Sequence, residues 1–176
     1  MLRSECLVRR TIRTVAVGAI GLCLAASAAN AQDRLGGHFG AVFPLVTHAN
    51  GETTNIGDDF KIGFPMGITV KTSDLWAFDL ELVPALDPGE RRPINVALTV
   101  HPGVLRSLGN SWTAGLRMAF DIGGASWGFT PLLNKGLPFG GHAYFVEVVV
   151  PIRFQDDSLG DTHGAISLGV HLGVGF

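Results

Sequence analysis

The chain has 176 residues, 47% of them apolar and only 16% charged, with 24 glycines and a formal net charge of −2. That apolar content excludes an intrinsically disordered chain, and no apolar run reaches the ~20 residues a membrane-spanning helix needs. Both cysteines, Cys6 and Cys23, fall near the N-terminus, which leaves the rest without a disulfide, a thiolate metal site or a cysteine nucleophile.

Arg3, Arg9, Arg10 and Arg13 precede an apolar run from Val15 to Ala26, and Ala29-Asn30-Ala31 places small residues where a signal peptidase reads. Residues 1–31 therefore read as a cleaved secretory signal peptide. Arg9-Arg10 also admits a twin-arginine export signal. The run is too short for an anchor, and bulky Leu22 before Cys23 disfavours a lipoprotein. Removing 31 residues from 176 leaves 145, a single domain over 32–176. It holds 9 basic and 14 acidic residues, a formal charge of −5, which argues against nucleic-acid binding through a basic surface.

From Leu35 onward the dominant period is two, the signature of strands whose side chains alternate between faces. In the first, looser strand (35–46), Phe39, Ala41, Phe43 and Leu45 oppose His38, Gly40, Val42 and Pro44. In the second (60–71), Phe60, Ile62, Phe64, Met66, Ile68 and Val70 oppose Lys61, Gly63, Pro65, Gly67, Thr69 and Lys71. In the third, Trp76, Phe78, Leu80 and Leu82 oppose Ala77, Asp79, Glu81 and Val83; in the fourth, Ile94, Val96, Leu98 and Val100 oppose Asn95, Ala97, Thr99 and His101. The fifth sets Trp112, Ala114, Leu116, Met118, Phe120 and Ile122 against Thr113, Gly115, Arg117, Ala119 and Asp121.

The stretch Trp127 to Asn134 carries the weakest pattern and is inferred as a short, proline-interrupted strand, followed by a turn at 135–141, because a barrel with both ends on one side needs an even strand count. Beyond it, Tyr144, Val146, Val148, Val150, Ile152 and Phe154 oppose Phe145, Glu147, Val149, Pro151 and Arg153. The last strand sets Ile166, Leu168, Val170, Leu172, Val174 and Phe176 against Ala165, Ser167, Gly169, His171, Gly173 and Gly175.

Alternation alone fits a soluble barrel with an apolar interior or a membrane barrel with an apolar exterior. The non-apolar face decides: it is mostly Gly, Ala, Ser and Thr, which suits a narrow bore better than a water-facing wall. Strands of this length, tilted ~40°, cover roughly 28 to 30 Å, enough for the ~25 Å apolar band of an outer-membrane barrel. Trp76, Trp112, Tyr144 and Phe176 then fall at the periplasmic ends and Phe43, Phe60 and Phe154 at the opposite ends, two aromatic girdles. Residues 72–74 and 105–111 read as inner turns, and 47–59, 85–93 and 155–162 as polar outer loops.

With its leader, its mature length and a final strand ending Leu172-Gly173-Val174-Gly175-Phe176, the chain resembles the small eight-stranded outer-membrane β-barrel proteins of Gram-negative bacteria. The resemblance implies that Phe176, with Val174, Leu172 and Val170, is the sorting signal read by the barrel-assembly machinery, and it names no activity. The expected fold is all-β, an up-and-down antiparallel transmembrane β-barrel of eight strands.

The inward positions carry Asp79, Glu81, Asp121 and Glu147 against Lys61, Lys71, Arg117 and Arg153. Equal numbers point to a salt-bridged plug that fills the bore, with an ion path as the functional alternative. His38, His101, His163 and His171 also face inward or lie at the rim, without metal-ligand spacing, although His38 and His171 sit on strands that become neighbours on closure. No metal or cofactor is expected.

An enzyme resembling the lipid A-modifying barrels needs a serine beside a histidine. His163 and Ser167 lie ~13 Å apart along one strand, and neither His48 nor His142 has an evident serine partner. Acidic loop residues (Glu52, Asp58, Asp59, Asp156, Asp157, Asp161) are candidates for cations bridging lipopolysaccharide, and Arg91 and Arg92 for lipid phosphates. The expectation is a monomeric outer-membrane barrel with a charged, largely plugged lumen, non-enzymatic, in contact with membrane lipid and lipopolysaccharide, in a structural or surface-interaction role or as a narrow channel. A soluble periplasmic barrel with an apolar ligand is the competing reading.

Overall fold

The computed structural model describes residues 34–88, 95–124, 126–156 and 162–176. The expected signal peptide, Arg91, Arg92, Asp157, Asp161 and the side chain of Asp156 lie outside that description. The described residues form β1 (Leu35–Ala49), β2 (Glu52–Asn55), β3 (Ile62–Gly63), β4 (Met66–Lys71), β5 (Trp76–Asp87), β6 (Asn95–Gly109), β7 (Trp112–Ile122), β8 (Ser126–Phe139), β9 (His142–Val149), β10 (Ile152–Asp156) and β11 (Thr162–Gly175).

Each strand runs antiparallel to its neighbours, and β11 pairs with β1 from His38↔Gly175 to Ala49↔Ala165, which closes the sheet. Segments β2, β3 and β4 return in succession along β1, and β9 and β10 together lie between β8 and β11, so the 11 segments make an eight-stranded up-and-down barrel. The final residue completes the seam: Gly37 N donates to Phe176 O at 2.9 Å, and Phe176 N donates to Gly37 O at 3.0 Å. Among the described residues, closure leaves no long edge open to pair with another chain.

Five features of the segments differ from the sequence reading, each for an identifiable reason. Residues 105–109 belong to β6 rather than to a turn, because the reversal needs only Asn110 and Ser111, both held at positive φ (50° and 62°) after Gly109 (82°). β8 runs on through 135–139, with the reversal confined to Gly140-Gly141 at φ 61° and 82°. Glycine and asparagine tolerate this left-handed geometry, and a two-residue turn of this kind matches the twist of a hairpin. By the same means Asn50-Gly51 extends β1 into a hairpin with β2, inside what reads as an outer loop.

Prolines account for the breaks. The stretch 60–71 splits around Phe64-Pro65, and 144–154 splits at Val150-Pro151, directly across from Pro131. Proline has no N–H to give the ladder. Its carbonyl still serves: Val150 N donates to Pro131 O and Ser167 N to Pro151 O, at 2.9 and 2.8 Å.

The two faces are inverted relative to a water-soluble barrel. Ile68, Leu116, Leu168 and Leu172 are 45–55% exposed on the outer wall, whereas Asp79, Glu81, Arg117, Glu147 and His171 are at most 3% exposed within. Among the described residues, buried large apolar side chains are few, chiefly Val83, Leu132 and Val149. An apolar-lined interior, as the soluble reading requires, is not what these residues build.

The barrel has a turn end, where residues 72–75, 110–111 and 140–141 reverse the chain, and an opposite loop end. Trp76, Trp112, Tyr144 and Phe176 are exposed at the turn end. At the loop end Phe43 lies 6.5 Å from Phe60, and Phe154 lies 5.0 Å from Trp127, a member of the outer girdle that the sequence reading left unassigned. Val170, Leu172 and Val174 lie along β11 opposite Phe43, Ala41 and Phe39 of β1, on the face that ends in Phe176.

Candidate functional site: a charged layer across the bore

Arg117 organises the interior. Register places Asp79 of β5, Gly103 of β6 and Arg117 of β7 side by side. A Cβ at Gly103 would lie 2.6 Å from Arg117 Cγ, so the missing side chain is what lets the arginine stem cross β6 towards β5. Arg117 Nε then donates to Asp79 Oδ2 at 2.7 Å, and Nη1 donates to Glu147 Oε1 at 2.9 Å, with Glu81 Oε2 at 3.4 Å. Thr69 Oγ1 donates to the other oxygen of Asp79 at 2.6 Å, and Asn134 Nδ2 to Glu147 Oε2 at 3.3 Å.

Three histidines complete the layer. His38 Nε2 lies 2.9 Å from Glu81 Oε2, His101 Nδ1 lies 3.0 Å from Glu81 Oε1, and His171 Nδ1 lies 3.3 Å from Glu147 Oε1. Glycines make room for two of these rings: His171 occupies the space in front of Gly40, and His38 that in front of Gly67. Phe145 meets His38 and His171 edge-on, with centroids 6.0 and 4.8 Å away.

Arg153 links a second level. Its Nη1 donates to Thr130 Oγ1 at 3.1 Å and to the carbonyls of Phe129 and Ile152, while Nη2 lies 3.1 Å from His101 Nε2. A guanidinium only donates, so Nε2 accepts and the imidazole proton sits on Nδ1, where it serves Glu81.

The layer therefore differs from the one-to-one pairing of acids and bases that the sequence suggested. Three carboxylates share one guanidinium, and imidazoles supply most of the remaining donors. The eight charges do not all converge. Asp121 accepts from Thr99 at 2.6 Å, apart from the Arg117 cluster. Lys61 is a rim residue, its side chain 47% exposed, bound to Asp59 at 2.8 Å and facing Asp87 at 3.4 Å. The hydrogen bond to Asp59, with the negative charge of both aspartates, raises its pKa above the usual lysine value against a lowering by partial burial. Lys71 is exposed at the turn end of β4. His38, His101 and His171 share inward parity with the acids, a signal present in the sequence that the absence of metal-ligand spacing obscured.

Glu81, Glu147 and His171 offer ligand atoms within 4.8 Å of one another. Arg117 Nη1 already supplies a cation to both of these carboxylates, 2.9 Å from Glu147 Oε1 and 3.4 Å from Glu81 Oε2. On the turn side of the layer lies a cavity of about 150 Å³, lined by His38, Thr69, Arg117, Asn134, Phe145 and Glu147 among others. Ser167 pairs with Thr47 at 2.9 Å and His48 with Thr53 at 2.8 Å, so neither of these contacts is a serine–histidine pair.

No protein-family model matches the chain, and no curated protein matches it. Among solved structures it is similar to the outer membrane protein OprG from Pseudomonas aeruginosa, with 11% identity and a TM-score of 0.40 over 81% of this chain and 94% of that one. The strand pairing and the inverted faces define the architecture independently of that likeness. The chain has the fold of a small outer-membrane β-barrel: eight antiparallel walls closed on themselves, apolar without and charged within.

Proposed function

We propose that this protein is an integral outer-membrane barrel whose bore is blocked by the Arg117 layer, and that it acts as a structural or surface-interaction protein rather than as an open pore or an enzyme. The observation that carries the membrane reading is the inversion of faces. A continuous exposed surface of Ile, Leu, Val and Phe side chains needs a hydrocarbon solvent. A wall such as β5, with 12 residues, covers roughly 30 Å when tilted, enough for the apolar band.

The blocked bore rests on the burial of the layer and on its origin: β1, β5, β6, β7, β9 and β11 each contribute a charged or imidazole side chain. Self-closure supports a monomer, with membrane lipid and lipopolysaccharide as its surroundings and the barrel-assembly machinery as a partner during biogenesis. The cavity beneath the layer favours one second reading, a narrow channel that conducts when the layer rearranges. Conductance in planar bilayers tests both. The blocked barrel gives no sustained current as wild type and gains current in Arg117→Ala; steady wild-type conductance establishes the channel. Release of fatty acid from lipid by purified protein in detergent would instead establish an enzyme.

A further inference from the structure

At the turn end, four consecutive wall strands each bring one residue to the outer surface: Trp76 on β5, Arg106 on β6, Trp112 on β7 and Lys135 on β8. Trp76 and Arg106 are register partners, as are Trp112 and Lys135. The Arg106 guanidinium lies 5.5 Å from the Trp76 ring centroid, and Lys135 Nζ lies 5.0 Å from that of Trp112. Lys135 Nζ also donates to Asn110 O at 2.6 Å, which fixes it at the level of the turn. Both rings are exposed, at 47% and 40%.

Arg106 lies level with Leu133, one inward-outward repeat from Lys135 and two strands away. Strand spacing then puts the two cations roughly 12 Å apart along the wall. Each cation is steadied by a ring face, which attracts it without neutralising it. Among the described residues no carboxylate pairs with either one, and Asp74, in the turn beside Lys71, is the described acidic side chain at this end. The described part of the loop end, in contrast, carries Glu52, Asp58, Asp59 and Asp87 against Lys61.

We propose that this band binds the headgroup phosphate of anionic glycerophospholipids in the leaflet that meets the turn end. Arg106 and Lys135 contact the phosphate, and Trp76 and Trp112 set the depth at the headgroup boundary. Zwitterionic lipids fit less well, because their own ammonium competes for the phosphate and is repelled by the two cations. The proposal rests on the membrane reading above.

Tryptophan quenching tests it. In a Trp127→Phe background the two remaining tryptophans report on this band alone, and in a W76F/W112F background Trp127 reports on the opposite end. The protein is reconstituted in zwitterionic vesicles doped with spin-labelled lipid carrying either an anionic or a zwitterionic headgroup. Flotation with the vesicles checks insertion separately, and failure to float overturns the membrane reading itself. In inserted protein the anionic label should quench at least about threefold more effectively in W127F, with the difference shrinking at high salt. It should disappear in W127F/R106Q/K135Q and be absent from Trp127. Equal quenching by both labels in W127F overturns the proposal, as does a preference that survives R106Q/K135Q. Retention of anionic lipid by wild type but not by R106Q/K135Q in native mass spectrometry gives the same decision without altering a tryptophan.

Discussion

Gly103 faces Arg117 across the β6–β7 ladder, and the arginine stem fills the volume that a side chain at Gly103 would need. Gly103→Ala should destabilise the barrel by about 1–3 kcal/mol, because the new methyl meets backbone and Cγ rather than a flexible tip. The urea midpoint of protein folded in lipid, read by the shift between heated and unheated mobility, measures this. An unchanged midpoint would mean that Arg117 takes another path to Asp79.

Removing Arg117 leaves Asp79, Glu81 and Glu147 facing one another in a bore where each is at most 2% exposed. Arg117→Ala should cost ~3–5 kcal/mol at neutral pH. Arg117→Lys should recover only part of that, since an ammonium is a point charge and cannot reproduce the fork that spans Asp79 and Glu147. Equal stability of the Lys and Arg proteins would contradict the geometry.

The contact between Arg153 and His101 makes a prediction about one proton. With Nε2 accepting from the guanidinium and Nδ1 donating to Glu81, His101 is the Nδ1–H tautomer. Nitrogen chemical shifts of the imidazole at neutral pH should show it, and Arg153→Met should release that preference. An Nε2–H tautomer in wild type would place Arg153 elsewhere.

Much of this barrel was legible because closure and alternation are written residue by residue. The faces of β5, β7 and β11 follow directly from period two. What could not be read was where strands break and how far across the bore a side chain reaches. Pro65, Pro131 and Pro151 interrupt ladders without ending walls, so β8 looked shorter than it is, and the two-residue reversals at Asn110-Ser111 and Gly140-Gly141 were hidden inside the longer stretches 105–111 and 135–141 that read as turns. The inward parity of Asp79, Glu81, Arg117 and Glu147 was visible. Their convergence was not, because it depends on inter-strand register and on Gly103, Gly40 and Gly67 leaving room. Lys61 and Lys71 share that parity but lie at the ends, where parity alone says nothing about depth.

Deleting Phe176 removes both main-chain bonds to Gly37 at the closing seam. The truncated chain should assemble in membranes at a markedly lower yield than wild type, and its unfolding should begin at lower denaturant. Membrane fractionation with quantitative blotting checks the first. Normal yield would separate the terminal residue from both closure and sorting.

The central claim is that the outer wall is wetted by hydrocarbon. Nitroxide labels at Leu116, Leu168 and Leu172 in lipid-reconstituted protein test it by collision with oxygen, which partitions into the bilayer, against a water-soluble nickel complex. The account predicts high oxygen and low nickel accessibility at all three positions, with the reverse ordering at Lys61 on the rim. Labels at Leu168 and Leu172 that collide freely with nickel and are shielded from oxygen would contradict it.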